Sequence, residues 1–301
     1  SELSGHVDDI DRMFGIADWL AIHFQKRVNW TLLVTYTLAV LMGLAFVAYA
    51  DVAGEEYMIY LFLVFFGLGV VLVMIAQRKA WHRRYLDYRA LAEGLRVQYY
   101  WAVAGVSTGK QTKYAHDNFL QKRDSELGWI RNVMRVAGLR SDVVVDDRRP
   151  ESLDFVIREW VGGQLEYYGR KSAERTRLLK HTAMIAMITL WTGIDVTVVL
   201  AVFQTRIGVD LQTPLLASMG ILPLIAGVRE AYSHKKADKE LIKQYGFMHR
   251  IFSNAKRKLD SAVTDREKQR ILRALGNAAL DEHAQWIFMH RDRPPEHGRL
   301  G

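Results

Sequence analysis

The stretch TLWTGIDVTVVLAVF, Thr189–Phe203, reads as the inside of a membrane helix, yet Asp195 stands within it. Thr189 and Thr192 precede Asp195 at steps of three and read as one polar face with it. A charged carboxylate near mid-bilayer costs about 2.5–3.5 kcal/mol on insertion scales, so such groups face water or protein rather than lipid. At about 1.5 Å per residue, Asp195 lies roughly 12 Å inside the end of its span, near the middle of a core about 30 Å thick.

Working outward, the sequence holds four apolar runs: about 28–50, 57–76, 182–203 and 211–228. A helix needs about 20 such residues to cross the hydrocarbon. The fourth is short and contains Gly220 and Pro223, which predicts a kink or tilt. Lys and Arg gather at one end of every run: Lys26 and Arg27; Arg78 and Lys79; Arg177 and Lys180; Arg229, Lys235 and Lys236. The two short connections, DVAGEE and QTRIGVDLQT, together hold one Arg and four acids. The positive-inside bias therefore predicts two hairpins that turn outside, with both termini and the middle of the chain in the cytoplasm. This placement explains much of the net charge of +8 over 301 residues without invoking nucleic acid. There is no cysteine, which excludes disulfides and thiolate-bound metals. The first 20 residues are acidic rather than basic then apolar, which does not read as a signal peptide, and the missing initial Met fits a trimmed chain.

Between the spans the pattern is helical, which makes the fold class all-α. Ile10, Met13, Phe14, Ala17, Leu20 and Phe24 share one face of a helix expected to run into the first span. After the second span, Trp81, Tyr85, Tyr88, Ala92, Leu95 and Tyr99 recur at steps of four and three, a coiled-coil seam. Leu241, Tyr245, Met248, Phe252, Ala255 and Leu259 repeat that spacing after the fourth. Aligning Arg27 with Lys180 superposes the two seams, so the chain is either an internal duplication or two hairpins alike by construction; Asp195 then meets Met42 and is not repeated. The expected organisation is 1–106, a first helix, hairpin and seam helix; 107–163, a cytoplasmic helical region; 164–263, a second helix, hairpin and seam helix; and 264–301, a last helix and tail. Within the second segment, Ser152 is placed to cap a helix that Gly162-Gly163 would break. Ala39 with Gly43, and Gly67 with Gly69, are candidates for close helix packing. Trp30, Tyr49, Tyr57 and Trp81 fit the aromatic belt at the membrane surface.

Catalytic motifs fail. GVSTGKQT (105–112) has three rather than four residues between its glycines and no Ser or Thr after the Lys, so it is not a phosphate loop but a Gly-rich helix end. His283 and His290, seven apart, can share a face, but no carboxylate joins them at metalloprotease spacing. No active site, metal or cofactor is expected.

Two segments, DYRALAEGLRVQYYWAVAG (87–105) and RALGNAALDEHAQWIFMHRDRPPE (273–296), resemble the SLATT group of bacterial membrane proteins. That resemblance covers about half the chain and rests on aromatic and small residues. It departs from the group in having four spans where the usual unit has two. It implies a membrane effector of antiviral defence whose spans oligomerise and breach the barrier when a nucleotide sensor fires. No SLOG-like sensor domain is legible here, so the sensor would lie on a removed segment or a partner. The alternatives are a constitutive small cation channel or transporter using Asp195, and a non-conducting scaffold. Asp195, Thr192 and Thr189 either line an ion pathway, as a carboxylate ring in a homo-oligomer, or pack at a helix interface with Asp195 bonded to Thr31 or Thr35.

Overall fold

The structure is a computed structural model, and it describes residues 2–53, 57–106, 127–138, 150–203, 206–236 and 238–291. Among these no strand occurs. The helices are α1 (Glu2–Val47), α2 (Tyr57–Arg78), α3 (Trp81–Val103), α4 (Gly128–Gly138), α5 (Pro150–Val156), α6 (Gly163–Phe203), α7 (Val209–Lys235), α8 (Asp238–Ser261) and α9 (Asp265–Arg291). Short π-helical segments, Ala48–Ala53 and Ile157–Gly162, extend α1 and join α5 to α6. Four helical stretches are long and apolar enough to cross a membrane.

The chain divides into two compact units: 1–26, 81–171 and 244–301 form the first, and 27–80 with 172–243 form the second. The four consecutive segments expected from the sequence do not match them. The reason lies in helix length, since α1 and α6 each join a polar, amphipathic portion to an apolar one.

In the first unit α3 is central and packs on α4, α5 and α9. Its seam is only part of what it buries. Ala92 and Leu95 are buried and Trp81, Tyr85, Tyr88 and Tyr99 half-buried, but Leu86, Ala90, Leu91, Val97 and Trp101 are buried as well. A helix covered on several sides is a core helix rather than a two-stranded coiled-coil element. Trp101 donates its indole N–H to Leu272 O at 3.1 Å and lies over Gly276, where an added β-carbon would sit 2.5 Å from the ring. The end of α3 is closed at Gly105 (φ +66°): Gly105 N–H bonds Ala102 O and Val106 N–H bonds Trp101 O. This left-handed cap satisfies carbonyls that the helix end would otherwise orphan. Gln269 and Arg273 of α9 donate to two further carbonyls of this helix end, Ala104 O at 3.0 Å and Val106 O at 2.7 Å. The first residues of GVSTGKQT are thus a helix cap, and 107–112 lie outside the described residues.

On α1, Ile10, Ala17, Ala21 and Phe24 are buried, and Phe24 stacks on Tyr88 at 5.7 Å. On α8, Met248, Phe252, Ala255 and Leu259 are buried, with Leu241 and Tyr245 half-buried. The start of α5 differs from the expected cap: it begins at Pro150, whose fixed φ suits a first turn, and Ser152 lies inside it. Nor do Gly162-Gly163 break the chain's helicity. The segment passes through a π turn in which Trp160 and Val161 are buried, and α6 follows directly. Tertiary burial there outweighs the low helix propensity of glycine.

The second unit holds the apolar helices. Gly43 of α1 lies against the Leu224 side chain of α7, and a β-carbon at Gly220 would sit 3.1 Å from Val47. Phe46 meets Phe62 of α2 at 6.4 Å between ring centres, and a β-carbon at Gly69 would lie 4.0 Å from Leu38. Ala39 is half-buried. Gly67 makes no close contact among the described residues of its own chain, since a β-carbon there would meet nothing within 4 Å. It sits two residues, about 200°, from Gly69 and so faces the other way. The fourth span is helical through Pro214 and Pro223 alike. Gly193 of α6 makes room for the second proline, whose ring would lie 3.2 Å from a β-carbon at that glycine. Between α2 and α3 the chain passes through Ala80 in the left-handed region (φ +48°).

Candidate functional site

The packed side of α6 in the second unit is Ala186, Thr189, Gly193, Val196 and Leu200, each buried or half-buried. Steps of three and four keep those residues on one stripe. Steps of three alone do not: each advances about 300°, a drift of about 60° per step. Thr189, Thr192 and Asp195 therefore part company. Thr189 is half-buried and its hydroxyl donates within the helix, to Ile185 O at 2.8 Å and Ala186 O at 3.0 Å. Thr192 and Asp195 are exposed, and neither has a hydrogen-bond partner among the described residues. The polar face expected from the sequence is thus corrected to two residues, Thr192 and Asp195.

Among the described residues Asp195 makes no hydrogen bond to Thr31 or Thr35. Thr31 Oγ1 donates to Arg27 O at 2.9 Å. Thr35 Oγ1 is buried and without a hydrogen bond. Thr182, at the basic end of the span, donates to Leu178 O at 2.8 Å and accepts a bond from the Arg229 guanidinium of α7. Tyr36 donates its hydroxyl to Ala231 O at 3.1 Å and meets Tyr232 edge-on. Trp30, Tyr49 and Tyr57 are exposed in the second unit, whereas Trp81 is half-buried in the first. The Thr182–Arg229 and Tyr36–Ala231 contacts lie toward the basic ends of the apolar helices, whereas Tyr49 and Tyr57 flank the opposite, hairpin end, so polar and aromatic groups mark both ends, as at the two surfaces of a membrane.

The first unit contains a group that the sequence reading missed. Arg96 donates to both oxygens of Glu93 at 2.9 Å, and Arg89 reaches the same carboxylate at 2.7 Å. Asp18 of α1 approaches Arg89 at 3.5 Å and Arg96 at 3.9 Å. The side chains of Arg89, Glu93 and Arg96 keep only 24%, 12% and 15% of their exposure. Burial alone would raise the Glu93 pKa, but the two guanidiniums win and hold it at about 2. Across from them, His283 of α9 is pushed down to about 4 by burial, with Arg89 and Arg96 adding repulsion against a third cation. His283 stacks on Trp286, which in turn meets His290. The two histidines do share a face, with an aromatic ring between them. No three potential metal ligands come together among the described residues.

Glu93, Trp160, Gln164, Tyr168, Phe252 and His283 also line a small cavity. Its space of about 10 Å³ suits one water molecule, not a nucleotide. The signal for this group was present in the Arg89–Glu93–Arg96 spacing, but the same spacing marks ordinary surface pairs.

No protein-family model, curated protein or solved structure matches the chain. Fold and site define a class only: an all-helical protein with four helices long and apolar enough to cross a membrane, one of which carries an exposed acid, Asp195, within its apolar run.

Proposed function

We propose that the chain is an oligomeric membrane effector that passes cations along a pathway lined by α6. The observation that carries this reading is the exposure of Asp195 and Thr192 on an otherwise apolar helix. Lipid is a poor neighbour for that carboxylate, and the described residues of its own chain offer it no partner. Copies arranged around an axis place the acids in a shared aqueous lumen, where a carboxylate ring favours cations. In this reading the hairpins turn outside a bacterial inner membrane and the first unit is cytoplasmic. The SLATT resemblance supports a gated role in antiviral defence, with a nucleotide sensor on a partner or on a further segment.

The chain's lack of cysteine allows a clean test. In Thr192→Cys the only thiol sits beside Asp195. A short bifunctional thiol cross-linker in native membranes is expected to join copies in high yield. Exclusively monomeric product, with the same cross-linker joining copies of a control Cys at exposed Leu190, would overturn an α6-lined assembly.

A further inference from the structure

The Asp195 face of α6 has layers. At about 100° per residue, Met184 and Ile188 fall within about 20° of Asp195, and Trp191 within about 40°. All three are more than half exposed: 51%, 56% and 58%. On the same face toward the other end lie the smaller Val199 and Val202, also exposed. Toward the basic end lie Arg177 and His181. The packed stripe through Gly193 and Leu200 is centred about 140° away, so this whole face points away from the helices that α6 packs on in the second unit.

We propose that Met184, Ile188 and Trp191 form the closed gate of the pathway, an apolar constriction on the basic side of the Asp195 ring. The inference rests on the pore reading above and assigns its regulation. Ile188 lies two turns from Asp195, about 10 Å along the axis. A narrow ring of bulky apolar side chains empties of water, and an ion meeting it would have to give up hydration with nothing to replace it. The carboxylate ring then draws cations to a pathway that the apolar layer keeps shut. Arg177 does not cancel that attraction: it sits about 27 Å from Asp195, several screening lengths away in an aqueous mouth.

The test uses the full chain in oriented membrane vesicles. Ile188→Ser and Met184→Ser are each expected to raise spontaneous cation leak at least tenfold over wild type. Leu190→Ser, on another exposed side of α6, is expected to leave it unchanged. A single thiol in Asp195→Cys should react with a charged, impermeant reagent from the hairpin-loop side only. Adding Ile188→Ser should open it to reagent from the other side. Equal reactivity from both sides without the serine overturns the gate but keeps the pathway. So does equal leak from Leu190→Ser. A thiol unreactive from either side, with no leak in any variant, overturns the pathway itself. Monodisperse elution of each variant separates these outcomes from misfolding.

Discussion

Replacing Glu93 with alanine is expected to destabilise the first unit by about 3 kcal/mol, the low end of the range for stripping one partner from a buried ion pair. Glu93 is the shared acceptor of Arg89 and Arg96, whose guanidiniums approach it at 2.7 and 2.9 Å. Without it the two cations face each other with Asp18 as the remaining acid beside them among the described residues, at 3.5 and 3.9 Å. The partial exposure of both arginines places the effect toward the lower figure, since water can enter and screen them. Glu93→Gln should lose less, because an amide oxygen still accepts a hydrogen bond. Thermal unfolding of the detergent-purified protein checks this ordering. Alanine and glutamine variants both as stable as wild type would mean that the cluster is solvated and contributes nothing.

Mild acid is expected to loosen the same region through His283. Its folded-state pKa of about 4 lies below the ordinary value of 6.5 because burial disfavours the charged ring; the Glu93 carboxylate pulls the other way, while Arg89 and Arg96 add to the lowering. The unfolded chain therefore takes up a proton before the folded one does. The stability tied to neutral His283 is whole above pH 6.5 and is lost as pH falls from there through about 4. The full difference is worth about 3 kcal/mol. Glu93, held at about 2, adds a further loss only below its ordinary 4.5, so between pH 6.5 and 4.5 the histidine dominates. Unfolding temperatures at pH 7.5 and pH 5 should differ clearly in wild type and much less in His283→Gln. An identical pH slope in both proteins would remove His283 from the account.

How far the fold could be read from sequence depended on how far each element's neighbours repeat its own pattern. The four apolar runs were legible because a span is specified by length and hydropathy alone. The buried faces of α1 and α8 were legible because each packs on one side: Ile10, Ala17 and Phe24 on one, Met248, Phe252 and Leu259 on the other. α3 was not. Its neighbours cover several sides, so a seam at steps of four and three captured Ala92 and Leu95 but not Leu86, Leu91 or Trp101. The Gly162-Gly163 pair misled because local propensity says nothing of the burial of Trp160 beside it. At the site, Asp195 stood out as an acid in an apolar run, whereas Thr189 was assigned to the wrong face by steps of three that drift around the helix. The Arg89–Glu93–Arg96 group was illegible as a buried cluster because the residues that enclose it, Trp160, Tyr168 and His283, arrive from distant parts of the chain.

Asp195 is the hinge of the functional account, and cation flux through purified protein in liposomes, wild type beside Asp195→Asn, tests it most directly. Comparing both on the Ile188→Ser background removes the need for a trigger. Flux that favours cations over anions is expected in the parent, with a loss of that preference, by about tenfold or more, when the carboxylate becomes an amide. Flux with the same selectivity in both would contradict the account, and would make Asp195 a contact between helices rather than part of the path.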